Sequence, residues 1–164
     1  MKKIKDGITL GFLCGFLANI PKAIANEVLF RKKIESKRYG EVISGIFMPK
    51  SKALSKQGKL FGVGGDFVTS SILGIPLVYM MLLTGKDNFL LKGFLTGVIG
   101  LGSFRGLLAN VGPGKTYPRD PQTNITFTIN SAMWGIVASS LIVMLGNESL
   151  FKPKQAKNSL LNQP

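Results

Sequence analysis

Four charged side chains of this sequence fall at membrane depth within apolar runs: Lys22, Glu27, Asp66 and Arg105. A charge in hydrocarbon is costly, so such groups turn toward the protein interior and find a partner. Asp66 and Arg105 are the deepest and are expected to form a buried ion pair. Lys22 and Glu27 lie nearer the end of their run, from where long side chains can reach the headgroups. The sequence has no histidine and one cysteine, Cys14, inside the first apolar run. That excludes Ser–His and Cys–His triads, zincin-type sites and haem ligation by histidine. It also leaves no internal disulfide. An intramembrane enzyme would have Asp66 or Glu27 as its sole acid/base, a thin set. The expectation is therefore no catalytic residues, no metal and no cofactor.

Other short motifs weigh little. Gly112-Pro113-Gly114-Lys115-Thr116 lacks the first glycine of a phosphate-binding loop, contains a proline and follows an apolar segment instead of a strand. Asn124-Ile125-Thr126 matches a glycosylation sequon but abuts an apolar run. Gly62 to Gly65 sits within an apolar segment and reads as helix packing.

These residues are carried on four segments long enough to cross about 30 Å of hydrocarbon, which takes roughly 20 residues. They run from Gly7 to Phe30, Leu60 to Leu83, Phe89 to Val111 and Ile125 to Leu145. The expected fold is all-α: one integral membrane bundle of four transmembrane helices over residues 1–150, with a basic, disordered tail over 151–164. The first segment has a second reading. Lys2, Lys3 and Lys5 followed by Gly7 to Ile20 and Ala23-Ile24-Ala25 have the order of a cleaved signal peptide. Cleavage there would leave three helices.

Small residues recur four apart on each span, where they let helix backbones approach closely in lipid. They are Gly7, Gly11 and Gly15 on the first, and Gly58, Gly62, Ser70 and Gly74, in line with Asp66, on the second. The third has Gly93 and Gly97, the fourth Ser131, Gly135 and Ser139. The ladders serve packing within one chain or between copies. The short link Thr84-Gly85-Lys86-Asp87-Asn88 predicts an antiparallel hairpin of the second and third helices. Between the first two spans, Val42, Ile43, Ile46 and Phe47 have helical spacing within Tyr39 to Met48. That suggests a short amphipathic helix at the interface, stopped by Pro49.

Alternating helix direction brings Lys22, Asn26, Glu27, Asp66, Thr69, Arg105, Asn110, Asn124 and Asn130 into one leaflet. The other half of the bundle is nearly pure hydrocarbon. This asymmetry suits a vestibule closed at one end or a docking socket, and does not suit a continuous pore. The net charge is +13. Its basic residues flank the spans, where they meet anionic lipid headgroups, so no nucleic-acid partner is expected. The first and third loops carry eleven Lys/Arg (nine plus two), against eight for the N-terminus, the second loop together with Lys92 just beyond it, and the tail (three plus two plus three). The excess favours a cytoplasmic first loop.

The run Gly74-Ile75-Pro76-Leu77-Val78-Tyr79, with Gly85, Lys92-Gly93-Phe94 and Gly97, resembles the central hairpin of small uncharacterised four-helix membrane proteins of Gram-positive bacteria. Asn19 is also similar. The likeness covers residues 1–145 and rests on short glycine-based motifs. It implies the four-helix topology and a multi-pass protein of the bacterial inner membrane, and it adds no chemistry. The expected role is a non-enzymatic accessory or assembly subunit of a membrane complex, with a second copy or another membrane protein as partner. The alternative is a small oligomeric transporter or channel using Asp66, Arg105 and Glu27.

Overall fold

The computed structural model describes residues 3–151 and, at Arg105, the backbone alone. The first span, α1 (Gly7–Arg31), starts where the Asp6 carboxylate accepts from the Thr9 amide at 2.6 Å, an N-cap. It ends in a left-handed residue, Lys33 (φ 59), with Ile34 N–H donating to Leu29 O and Lys33 N–H to Phe30 O. This is a Schellman-type stop, and it folds the following segment back beneath the helix. Two short helices follow, α2 (Tyr39–Phe47) and α3 (Lys50–Ala53). The second span, α4 (Lys56–Thr84), is capped by the Ser55 hydroxyl and continues through Pro76. Gly85, at φ 81, ends it in a backbone conformation that favours glycine.

The third span is composite: α5 (Phe89–Leu95), a π-helical stretch (Thr96–Ser103) and α6 (Phe104–Val111). The fourth, α7 (Pro121–Leu145), has proline in its first turn and Asp120 as N-cap, accepting from the Thr123 amide at 2.9 Å. A single 3₁₀ turn, Glu148–Leu150, follows. All four spans are long and apolar enough to cross a membrane. The chain is an all-α, multi-pass bundle. Of the expected tail, residues 152–164 lie outside the described residues.

The ladders find their partners inside the chain, in two antiparallel zippers. Gly11 lies against Gly74 and Ile75, and Gly15 against Ser70 and Ser71. A Cβ on Gly11 would come 2.6 Å from the Ile75 Cα, closer than any side chain tolerates. In the second zipper Gly93 faces Gly135 and Ser139, and Gly97 faces Ser131. The second and third spans, by contrast, touch little along their length. The expected hairpin is thus a tight turn between helices that diverge, because each carries a ladder complementary to a different neighbour. α1 also packs on α7, where Trp134 Nε1 donates to Gly15 O at 3.0 Å. Residues 1–25 thus supply the partner of Ser70 and Gly74 on α4.

The helix between the first two spans forms as expected but lies inside the protein. Tyr39, Val42, Ile43 and Ser44 are buried, Gly40 rests on Gly62 of α4, and Gly45 abuts Thr116 of the third loop. Phe47 alone of its expected apolar face points outward, edge-on to Phe61 with ring centroids 6.0 Å apart. Gly40 and Gly45 draw the helix in, since at both points backbone and neighbour come too close for a side chain.

The opposite end of the bundle is hydrocarbon. Leu10, Cys14, Ala18, Leu77, Val78, Met81, Trp134, Ala138 and Ile142 form one fully buried cluster, with Phe151 on its edge. There the segment before α1 meets the end of α7: Ile4 N–H donates to Leu145 O and Asn147 N–H to Ile4 O, both at 2.9 Å.

Candidate functional site

The face of α1 that holds Gly7, Gly11 and Gly15 continues, in steps of four and three, through Asn19, Lys22 and Asn26. The zipper register sets Asn19 opposite Asp66, one step beyond Gly15 and Ser70. Four side chains close a ring there. Lys22 Nζ lies 2.9 Å from each Asp66 carboxylate oxygen. It also donates to Ser70 Oγ at 3.3 Å. Asn19 Nδ2 donates to Asp66 Oδ2 at 3.0 Å, and the Ser70 hydroxyl donates back to Asn19 Oδ1 at 2.8 Å. Asn19, Lys22 and Ser70 are fully buried, and Asp66 is 3 % exposed. The Lys22 ammonium also lies 4.7 Å from the Tyr39 ring centroid, a cation–π contact.

Among the described residues Asp66 has Lys22 as an ion-pair partner, and the side chain of Arg105, the partner expected from the sequence, lies outside them. Lys22 does not reach for headgroups. It sits on the zipper face, and α2 roofs it with Tyr39. Glu27 does lie at the surface, bonded to Arg31 at 2.7 Å and Arg38 at 2.7 and 3.1 Å.

A second buried cluster lies between the ring and loop 1. Asn26 Oδ1 accepts from the Tyr39 amide at 2.9 Å, while its Nδ2 donates to Glu35. Asn130 Nδ2 of α7 reaches the other Glu35 oxygen at 3.3 Å. Glu35 is 2 % exposed although it belongs to a loop. The next residue, Ser36, donates its amide to Thr123 Oγ1 at 2.8 Å and its hydroxyl to Asp120. With Thr123, that hydroxyl holds the Asp120 carboxyl down at about 2. Loop 1 is thereby stitched to the start of α7.

The expected vestibule is only partly assembled. Lys22, Asn26 and Asn130 line the seam. Asn110 is exposed and donates to Gly106 O of its own helix, and Thr69 is half-buried on α4. Asn124 turns its Nδ2 to Pro118 O in loop 3. Asn19, Glu35 and Tyr39 belong to the seam although nothing in their own identity marks them. Asn19 and Lys22 were findable by extending the Gly7–Gly15 ladder. Glu35 carries no periodic signal, because its burial depends on where loop 1 folds.

Chemically, the ring pairs a carboxylate with an ammonium and satisfies the amide and hydroxyl between them. Among the described residues no group of three or more Cys, Asp or Glu is placed to hold a metal. No family model, curated protein or solved structure matches this chain.

Proposed function

We propose that this chain is a non-enzymatic accessory or assembly subunit of a membrane complex, seated in the bacterial inner membrane. The observation that carries the reading is the closed ring of Asn19, Lys22, Asp66 and Ser70. Its members bond one another across the α1–α4 contact, so the interior charge fixes the register of α1 on α4. A buried ion pair contributes little net stability after desolvation, and fixing a register is its best-attested use. The outer surfaces are apolar, and the third span is the least buried of the four. It exposes Leu91, Phe94, Ile99 and Leu107. With the ladders consumed inside the chain, a partner would meet these larger side chains. That favours a different membrane protein over a second copy.

The test is isolation of the chain from native membranes in a mild detergent, with size and composition measured together. A stable complex with another membrane protein supports the reading. A monodisperse monomer, in detergent and in native lipid discs alike, overturns it. One observation favours a second reading, a small oligomeric transporter or channel. The polar seam runs from Asp66 past Tyr39 and Asn26 to Glu35 within one half of the bundle, near the ends of the spans that bear Glu27 and Arg105. Solute or proton flux in reconstituted vesicles, abolished by Asp66→Asn, would decide for it.

A further inference from the structure

α1 carries a groove on its outer face, of about 410 Å³, lined by Ala23, Ile24, Glu27, Val28 and Arg31. That volume lies within the roughly 300–1,000 Å³ of small-ligand sites. Its floor is apolar, with Ile24 and Val28 exposed. It spans nine residues of helix, Ala23 to Arg31, or about 12 Å at 1.5 Å per rise, and ends where α1 leaves the apolar layer. This is too short to seat a whole partner span, and it matches the upper part of one acyl chain.

The mouth is positively charged and held in place. Glu27 accepts from Arg31 Nε and from Arg38, and the Arg38 guanidinium stacks 3.9 Å from the Phe30 ring centroid. Arg31 uses only its Nε in this contact, and its side chain is 75 % exposed. The Nε bond anchors an otherwise largely exposed guanidinium-bearing side chain. Lys32 and Lys33 follow, both exposed. Four cations and one carboxylate leave this rim at +3 (4 − 1). The other acidic groups of the loop face elsewhere: Glu35 is buried toward Asn26 and Asn130, and Glu41 pairs with Lys59 at 3.1 Å.

We propose that this groove is a binding site for one anionic glycerophospholipid, its acyl chain along Ala23, Ile24 and Val28 and its phosphate on the Arg31 guanidinium. The planar fork suits a phosphate. The surplus of cations over Glu27 selects an anionic headgroup over a zwitterionic one. The site is independent of the subunit reading, since it lies outside the ring.

The full chain in mild detergent is titrated with phosphatidylglycerol and with phosphatidylcholine of identical acyl chains, and bound lipid is counted by native mass spectrometry. One phosphatidylglycerol should be retained per chain in clear preference. Arg31→Gln should reduce that preference about fivefold, the size of one basic contact at a membrane surface. The double variant Lys50→Gln/Lys52→Gln, on α3, should leave it unchanged. Ile24→Trp, which fills the floor, should weaken retention of both lipids. Equal retention of the two lipids by the unaltered chain overturns the proposal. So does a loss in the α3 variant as large as that from Arg31→Gln, which would mean diffuse charge without a site.

Discussion

At the residue scale, Asp66 shows what an interior carboxylate requires. Lys22 supplies a counter-charge, Asn19 donates to the carboxylate, and Ser70 ties Lys22 to Asn19. Removing either charge strands the other where water is scarce. Asp66→Asn or Lys22→Met alone should therefore cost roughly 3–5 kcal/mol, and the double substitution should recover much of that loss. The check is a double-mutant cycle on unfolding in detergent. If the two losses simply add, Lys22 and Asp66 are not energetic partners. The sequence marks both residues as charges at membrane depth, but depth alone does not bring Lys22 to Asp66. That contact depends on which helix lies against α4, and that is a property of the ladders.

At the element scale the ladders were legible and their pairing was not. Small residues four apart announce that a backbone comes close, yet every span carries such a ladder. Connectivity suggests that the second span pairs with the third. Complementarity decides otherwise: glycines of α1 meet Gly74 and Ser70, and glycines of the third span meet Gly135 and Ser131. The same limit applies to α2. Its spacing predicts an amphipathic helix, whereas its burial follows from Gly40 and Gly45, which admit α4 and loop 3 at backbone distance. The consequence is testable with two leucines. Gly97→Leu should separate the third span from α7, and Gly62→Leu should lift α2 off α4. Both should lower the melting temperature by several degrees, whereas Leu82→Ile, a conservative change, should not. Gly62→Leu should in addition leave Lys22 more open to solvent, read as faster hydrogen exchange over residues 39–47. An unchanged melting temperature and exchange in Gly62→Leu would mean that α2 is not held by this contact.

At the scale of the whole molecule, the bundle has two unlike ends. Ile4, Gly146 and the Lys86–Glu148 ion pair at 2.7 Å draw the segment before α1, the second loop and the end of α7 to one side. On the other side loop 3 is tied to α2 by Thr116 Oγ1 donating to Val42 O at 3.1 Å and Gly114 N–H to Gly45 O at 2.9 Å. This second end carries eleven Lys/Arg, nine in loop 1 and two in loop 3. An excess of that sign near short loops is retained in the cytoplasm. Cysteines placed at Lys5 and Asp87 should therefore react together with a membrane-impermeant maleimide on intact cells. Cysteines at Ser51 and Lys115 should be protected until the membrane is opened. The native Cys14, fully buried, supplies the blank. Labelling of Ser51 and Lys115 in place of Lys5 and Asp87 would keep the bundle and reverse its orientation. Reaction of Lys5 and Asp87 from opposite sides would break the topology itself, because an even number of spans must separate them. Loss of the Lys5 site from the mature protein would support the cleaved-leader reading and leave the α4 zipper face without its partner.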